Sequence, residues 1–240
     1  MRLPKVHGII RRRLLVNFRI DPAVARAQLP QPFTPKLYSG YAVGGICLIR
    51  LEGIRPKRFP RLLGLSSENA AHRFAVTWTD PDGEHEGVYI PRRDSDSMIN
   101  HLAGGRLFPG EHHFAKFAVT DSGDQVGIDM TSADRSVAVR VAAATVADFP
   151  SGSIFPSLEE ASAFFEPGSL GYSATAGGHQ LDGIVLRTHR WEVSPLLVQS
   201  VESSFFSNES LFPRGSVSFD CALIMRNIAH EWHSAKEMYV

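Results

Sequence analysis

Residues 41–50, Tyr-Ala-Val-Gly-Gly-Ile-Cys-Leu-Ile-Arg, run almost without a polar interruption. A strand with one wet face alternates apolar and polar side chains. A continuous run of small and apolar residues instead implies a strand covered on both faces. The rest of the chain has to supply that cover, and it offers few helices with which to do so. Residues 9–20 are rich in β-formers and read as a strand. Asp21-Pro22 opens a short helix, with Asp as the capping oxygen and Pro at the first helical position, and Pro30 and Pro32 stop it. Residues 34–54 read as two strands around Ser39-Gly40. Residues 55–66, basic and broken by Pro and Gly, read as an extended loop. Strands are expected near 71–79 and 86–91 across the turn Asp80-Pro81-Asp82-Gly83.

A helix is expected over 94–105, capped by Asp94 or Ser95 and stopped by Gly104-Gly105. Strands follow near 112–120, 125–131 and 136–147. The Ser-x-x-Glu box at 157–160 starts a helix over 157–165. The remainder reads as strands near 171–176, 181–193, 198–206 and 216–226. About ten strands joined by tight turns, with three short helices, give an α+β, mainly antiparallel β fold, closed or half-closed, with helices packed outside. The 240 residues show no repeat or long polar linker and read as a single domain over 1–240.

Charge narrows the partners. Lys plus Arg and Asp plus Glu both number 25, so no global basic field exists for nucleic acid. No apolar run reaches the roughly 18 residues of a membrane span, and the first residues lack an apolar signal core, so a cytoplasmic protein is expected. Cys47 and Cys221 lie in apolar, strand-like runs and read as buried free thiols. There is no Cys-x-x-Cys, Walker A loop, Gly-x-Gly-x-x-Gly or Gly-x-Ser-x-Gly, so no metal or organic cofactor is expected. The anticipated partner is a small-molecule ligand, and a homo-oligomer is left open.

The chemically dense stretch is 104–119, Gly-Gly-Arg-Leu-Phe-Pro-Gly-Glu-His-His-Phe-Ala-Lys-Phe-Ala-Val. His112 and His113 suit proton transfer near neutral pH, and as neighbours on a strand only one can face a given side. Lys116 lies in an apolar run: facing inward it would be a desolvated nucleophile, facing outward a surface lysine. Arg106 belongs to the same turn. His230-Glu231-Trp232-His233 lacks a third ligand and is not read as a metal site.

Two segments carry a resemblance. Arg11 to Pro35, with Asp21, Leu29 and Pro30-Gln31-Pro32, resembles the opening strand and helix of the acetoacetate decarboxylase superfamily. Gly87 to Ala115, with Gly-Gly-Arg-Leu-Phe-Pro before His-His-Phe-Ala, resembles that family's lysine-bearing block. His189 to Pro195 is similar to a late strand of its YqjF-like uncharacterised branch. The resemblance implies a β-barrel or cone around a partly apolar internal cavity. It implies a lyase in which one of two adjacent lysines forms a Schiff base with a keto acid. It places His112-His113 where those lysines stand, and histidine forms no stable imine. It further matches Glu68 to a cavity glutamate and Arg11 to an arginine facing the substrate carboxylate, with Arg12 or Arg13 as inward-facing alternatives. His72 and Arg73 start the next strand near that cavity.

The catalytic candidates are therefore His112, His113, Glu68 and Lys116, and the substrate-binding candidates Arg11, Arg73 and Arg106. The expected function is a decarboxylase-like protein with a pocket for a small organic acid or carbonyl compound, using acid–base chemistry without the lysine pair. The alternative is a non-catalytic binding or sensing protein on the same fold.

Overall fold

The computed structural model describes residues 6–56, 59–60, 62, 64–97, 110–175 and 180–239. In chain order the elements are β1 (Val6–Ile20), α1 (Pro22–Ala27), β2 (Thr34–Pro35), β3 (Leu37–Tyr38), β4 (Tyr41–Pro56), β5 (Leu65–Asp80), β6 (Gly83–Ser95), β7 (His112–Ser122), β8 (Gln125–Ser132) and β9 (Ala138–Thr145). Then come α2 (Leu158–Phe165), a 3-10 turn (Glu166–Ser169), β10 (Leu170–Ala174), β11 (Gln180–Thr188), β12 (Ser194–Ser203), β13 (Val217–Ser234) and β14 (Met238–Tyr239). Among the described residues no helix is long and apolar enough to cross a membrane.

Local chemistry explains the boundaries. The Asp21 carboxylate accepts from the amides of Ala23 and Val24, and the Ser157 hydroxyl accepts from the amide of Glu160. Ser39 and Gly40, both at positive φ, make the two-residue turn that pairs Tyr38 with Tyr41. Asp80 bonds the Asp82 amide and closes the β5–β6 turn. Several expected bounds move: the strand expected over 181–193 ends at Thr188, the one over 198–206 spans Ser194–Ser203, and the one over 216–226 runs to Ser234. The strand expected to begin near 71 begins at Leu65, because buried polar residues early in β5 find cross-strand partners that propensity does not register. Residues 94–95 extend β6 instead of opening a helix, and the rest of the helix expected over 94–105 lies largely outside the described residues.

The sheet is strongly curved, and its pairings return on themselves twice. One circuit runs β6-β7-β8-β9-β12-β13-β1-β4-β5 and closes through the β5–β6 pair. A second leaves β6 through β10 and β11, rejoins β13, and shares β13, β1, β4 and β5 with the first. All pairings are antiparallel except β6 with β7 and β6 with β10. The shared wall therefore has a core on each face. Leu14, Val16, Ile46, Leu48 and Phe74 face one. Leu15, Cys47, Ile49, Leu223 and Met225 face the other, which α2 covers with Phe164 and Phe165. This is why β4 reads as continuously apolar.

His72 sits fully buried in the first core, its ring centroid 4.6 Å from that of Phe205. Neither ring nitrogen has a hydrogen-bond partner among the described residues. Burial, aided by the charge of Arg92, lowers its pKa from 6.5 to about 3. The unfolded chain thus takes up a proton below its ordinary pKa, while the folded chain does not until far lower pH. The stability this residue gives is full above pH 6.5 and is lost as pH falls toward 3. Relative to a His72→Leu variant, the wild type is expected to lose about 1.4 kcal/mol per pH unit between about pH 6 and about pH 4. Urea unfolding across that range measures the slope, and parallel pH profiles for the two proteins would refute the assignment.

Candidate functional site

The second circuit lines a partly open cavity of about 90 Å³, room for several water-sized groups. Arg13 reaches it from β1, Cys47 and Ile49 from β4, Asn69 and Arg73 from β5, and Ile90 and Arg93 from β6. His112 of β7, Ile184 and Leu186 of β11, and Trp232 of β13 complete the wall. Most of these groups are apolar, and three are guanidiniums.

Among the described residues the three arginines are held without acids. Arg73, 4% exposed, donates from Nη2 to Asn17 Oδ1 at 2.6 Å and lies over the Phe165 ring at 5.2 Å. That bond crosses Gly45, where a Cβ would stand 2.5 Å from the Val16 carbonyl oxygen and 3.4 Å from Arg73 Nη2. Arg13, 8% exposed, donates from Nε to Cys47 Sγ at 3.2 Å and lies 5.9 Å from the Trp191 ring centroid. Arg93 donates from Nε to Ser173 Oγ at 3.1 Å. The enclosed Nε of Arg73 and Nη2 of Arg93 have no hydrogen-bond partner among the described residues. Burial pulls both guanidinium pKa values down to about 10, which leaves them charged at neutral pH. Asp94 also borders the cavity, but its carboxylate is committed to Arg92, which donates to it at 2.9 to 3.2 Å. No carboxylate of the described residues pairs with Arg13, Arg73 or Arg93. Unpaired charge on buried guanidiniums beside apolar side chains is costly, so this arrangement is complementary to an anion.

The candidates from the sequence divide. Arg73 and His112 line the cavity. His113 points away from it and lies near the Asp94 carboxylate, because neighbours on a strand face opposite sides. Glu68 is not in the cavity. It accepts from Arg12 Nη2 at 2.7 Å on the opposite face of the shared wall, and Arg12 also donates to Asp121 at 3.2 Å. Burial raises the Glu68 pKa, against the pull of Arg12. Arg11 is exposed and bonds Asn227 Oδ1. It is the extra residue where the β1–β4 register shifts between Ile10 and Arg12. That shift turns Arg12 toward Glu68 and Arg13 toward the cavity. Lys116 is exposed on β7 and is no cavity nucleophile. Arg106 lies outside the described residues.

Sequence reasoning missed Arg93 and Cys47 as cavity residues. Arg93 carried a usable signal: Arg92 and Asp94, two apart, pair on one strand face, which leaves Arg93 for the other. Glu68 and Arg73 are five apart, so a regular strand sends them to opposite faces.

Residues 9–220 match the family DUF2071, described as an uncharacterized conserved protein. No curated protein matches the chain. Among solved structures, acetoacetate decarboxylase from Legionella pneumophila aligns with a TM-score of 0.60 at 13% identity, over 98% of this chain and 88% of that one. The enduracididine biosynthesis enzyme MppR, complexed with pyruvate, aligns with a TM-score of 0.63 at 10% identity, over 99% of this chain and 90% of that one. An acetoacetate decarboxylase-like enzyme from Sphingomonas wittichii RW1 aligns with a TM-score of 0.58 at 12% identity, over 98% and 92%. At such identities the likeness is one of fold.

Proposed function

Since the chain belongs to the DUF2071 family of uncharacterized conserved proteins and has the acetoacetate decarboxylase-like fold, we propose that it binds a short organic acid in the cavity of Arg13, Arg73 and Arg93. One observation carries this reading: three guanidiniums line a partly open, largely apolar cavity and none is paired with a carboxylate of the described residues. Arginine presents a fixed fork of donors that matches a carboxylate. The apolar remainder of the wall suits a short carbon chain. A free cytoplasmic metabolite is the ligand this reading implies.

The reaction type it supports is acid–base. With a carboxylate on the arginines, the His112 imidazole on the same wall is placed to give or take a proton at a neighbouring carbon. Imine chemistry has no support, because no lysine of the described residues lines the cavity. That same observation keeps a second reading alive, in which the protein binds the acid without turning it over.

Thermal unfolding with a panel of short acids and their neutral amides tests the binding. An acid at one hundred times its Kd is expected to add about 2.7 kcal/mol, a rise of roughly 5–10 °C in Tm, and its amide to add little. Equal shifts for acid and amide would overturn the reading. Product analysis on the acids that bind then separates enzyme from binder.

A further inference from the structure

We propose that Cys47 is a nucleophile that captures short α,β-unsaturated carboxylates held by the arginines of this cavity. The inference rests on the anion-binding reading and adds a covalent step to it. Cys47 borders the cavity, 8% exposed, and its sulfur accepts a charge-assisted hydrogen bond from Arg13 Nε at 3.2 Å. The thiolate is the reactive form of a cysteine, and Arg13 stands beside the sulfur that would carry that charge during the reaction. A second observation points to a ligand independently of the cysteine: Arg73, 4% exposed on the same wall, has an unpartnered Nε.

Cys47 is not one half of a structural disulfide. It pairs across from Leu15 in β4, while Cys221 pairs across from Asn17 in β13, on the other side of β1. Two strand spacings, about 10 Å, separate them, beyond the reach of a disulfide. Cys221 makes a contrast within the same molecule. It does not border the cavity, and burial, with Asp220 beside it, pushes its thiol pKa up to about 12.

In the proposed step the sulfur bonds to the β-carbon of the bound acid, and the π pair of the C=C bond moves to the α-carbon. That carbon takes up a proton, balancing the one the thiol has lost. The sum is addition of S–H across C=C, with no oxidant or reductant. The guanidiniums hold the carboxylate and favour the electron-rich intermediate.

The test is alkylation of the folded protein by two pairs of reagents, iodoacetate with iodoacetamide and acrylate with acrylamide, followed by intact mass and peptide mapping. Free thiols react more readily with the neutral member of each pair. Here the carboxylate member is expected to modify Cys47 faster, by about tenfold, the factor that 1.4 kcal/mol of anchoring gives. The adduct is expected to disappear in Cys47→Ser and to persist in Cys221→Ser. Faster reaction of the neutral reagents, or an unmodified Cys47, would overturn the proposal. If short acids still raise Tm in that case, the covalent step falls alone. If no short acid raises Tm, the binding reading falls with it.

Discussion

Replacing Arg73 with methionine is expected to abolish stabilisation by short acids while leaving the unliganded protein within about 2 kcal/mol of the wild type in stability. Two opposite effects meet at this residue. Its guanidinium is buried beside Arg13 and has Asn17 and the face of Phe165 as neighbours, but no carboxylate among the described residues. An apolar side chain of similar length relieves that unpaired charge, and such replacements of buried ions are often neutral or stabilising by about 1–4 kcal/mol. The loss of the Asn17 bond, about 1.5–3 kcal/mol for a bond from a charged donor, works against the gain. For a bound carboxylate, removal of a buried charged partner costs about 2–5 kcal/mol, or roughly 30-fold to several thousand-fold in Kd. Calorimetric titration with the best acid of the panel and urea unfolding without ligand measure the two quantities. A variant that binds normally, or whose unliganded form loses more than about 2 kcal/mol, would mean that Arg73 is a structural residue.

The second large effect belongs to the other face of the wall. Phe206 is buried against Phe18, with rings stacked at 4.4 Å, and touches Phe205 and Phe212 at 5.2 and 5.3 Å. Phe206→Ala is expected to cost about 3–5 kcal/mol, the usual range for an aromatic ring removed from a core. That is a large part of the roughly 5–15 kcal/mol that holds most domains together. Ligand affinity is expected to survive, since Phe206 is not among the cavity residues. Denaturant unfolding with and without the acid separates the two. A small change in stability would show that this aromatic cluster is not the centre of its core, and a matching loss of affinity would show that the two faces are coupled.

Much of the fold was legible. The Asp21 and Ser157 caps, the Ser39-Gly40 and Asp80 to Gly83 turns and the double burial of β4 each depend on residues adjacent in sequence, and each stands where the chain chemistry puts it. The site was legible only in part. Alternation along β1 shows that Arg11, Arg12 and Arg13 cannot all face one way, but the phase depends on the register shift after Ile10, which is a property of the pairing with β4. Glu68 was a sound candidate by type and misleading by place. Its partner Arg12 is 56 residues away in sequence, and the same pairing that buries it removes it from the cavity. Arg93 and Cys47 gained their meaning only when the second circuit closed around them.

The shared wall has a consequence for how such a protein can evolve. Leu14 and Leu15 are neighbours in β1 and answer to two different cores. A strand of this kind has no outward side on which substitutions can drift unseen. A lineage that altered the pocket through β1 or β4 would have to repack the opposite core at the same time. Gly168, Ser169, Ile184 and Leu186 border the cavity from outside the shared strands, and none of them belongs to the first core. Under the proposed reading, changes of ligand preference are expected at those positions, with Arg13, Arg73 and Arg93 kept as the anchor.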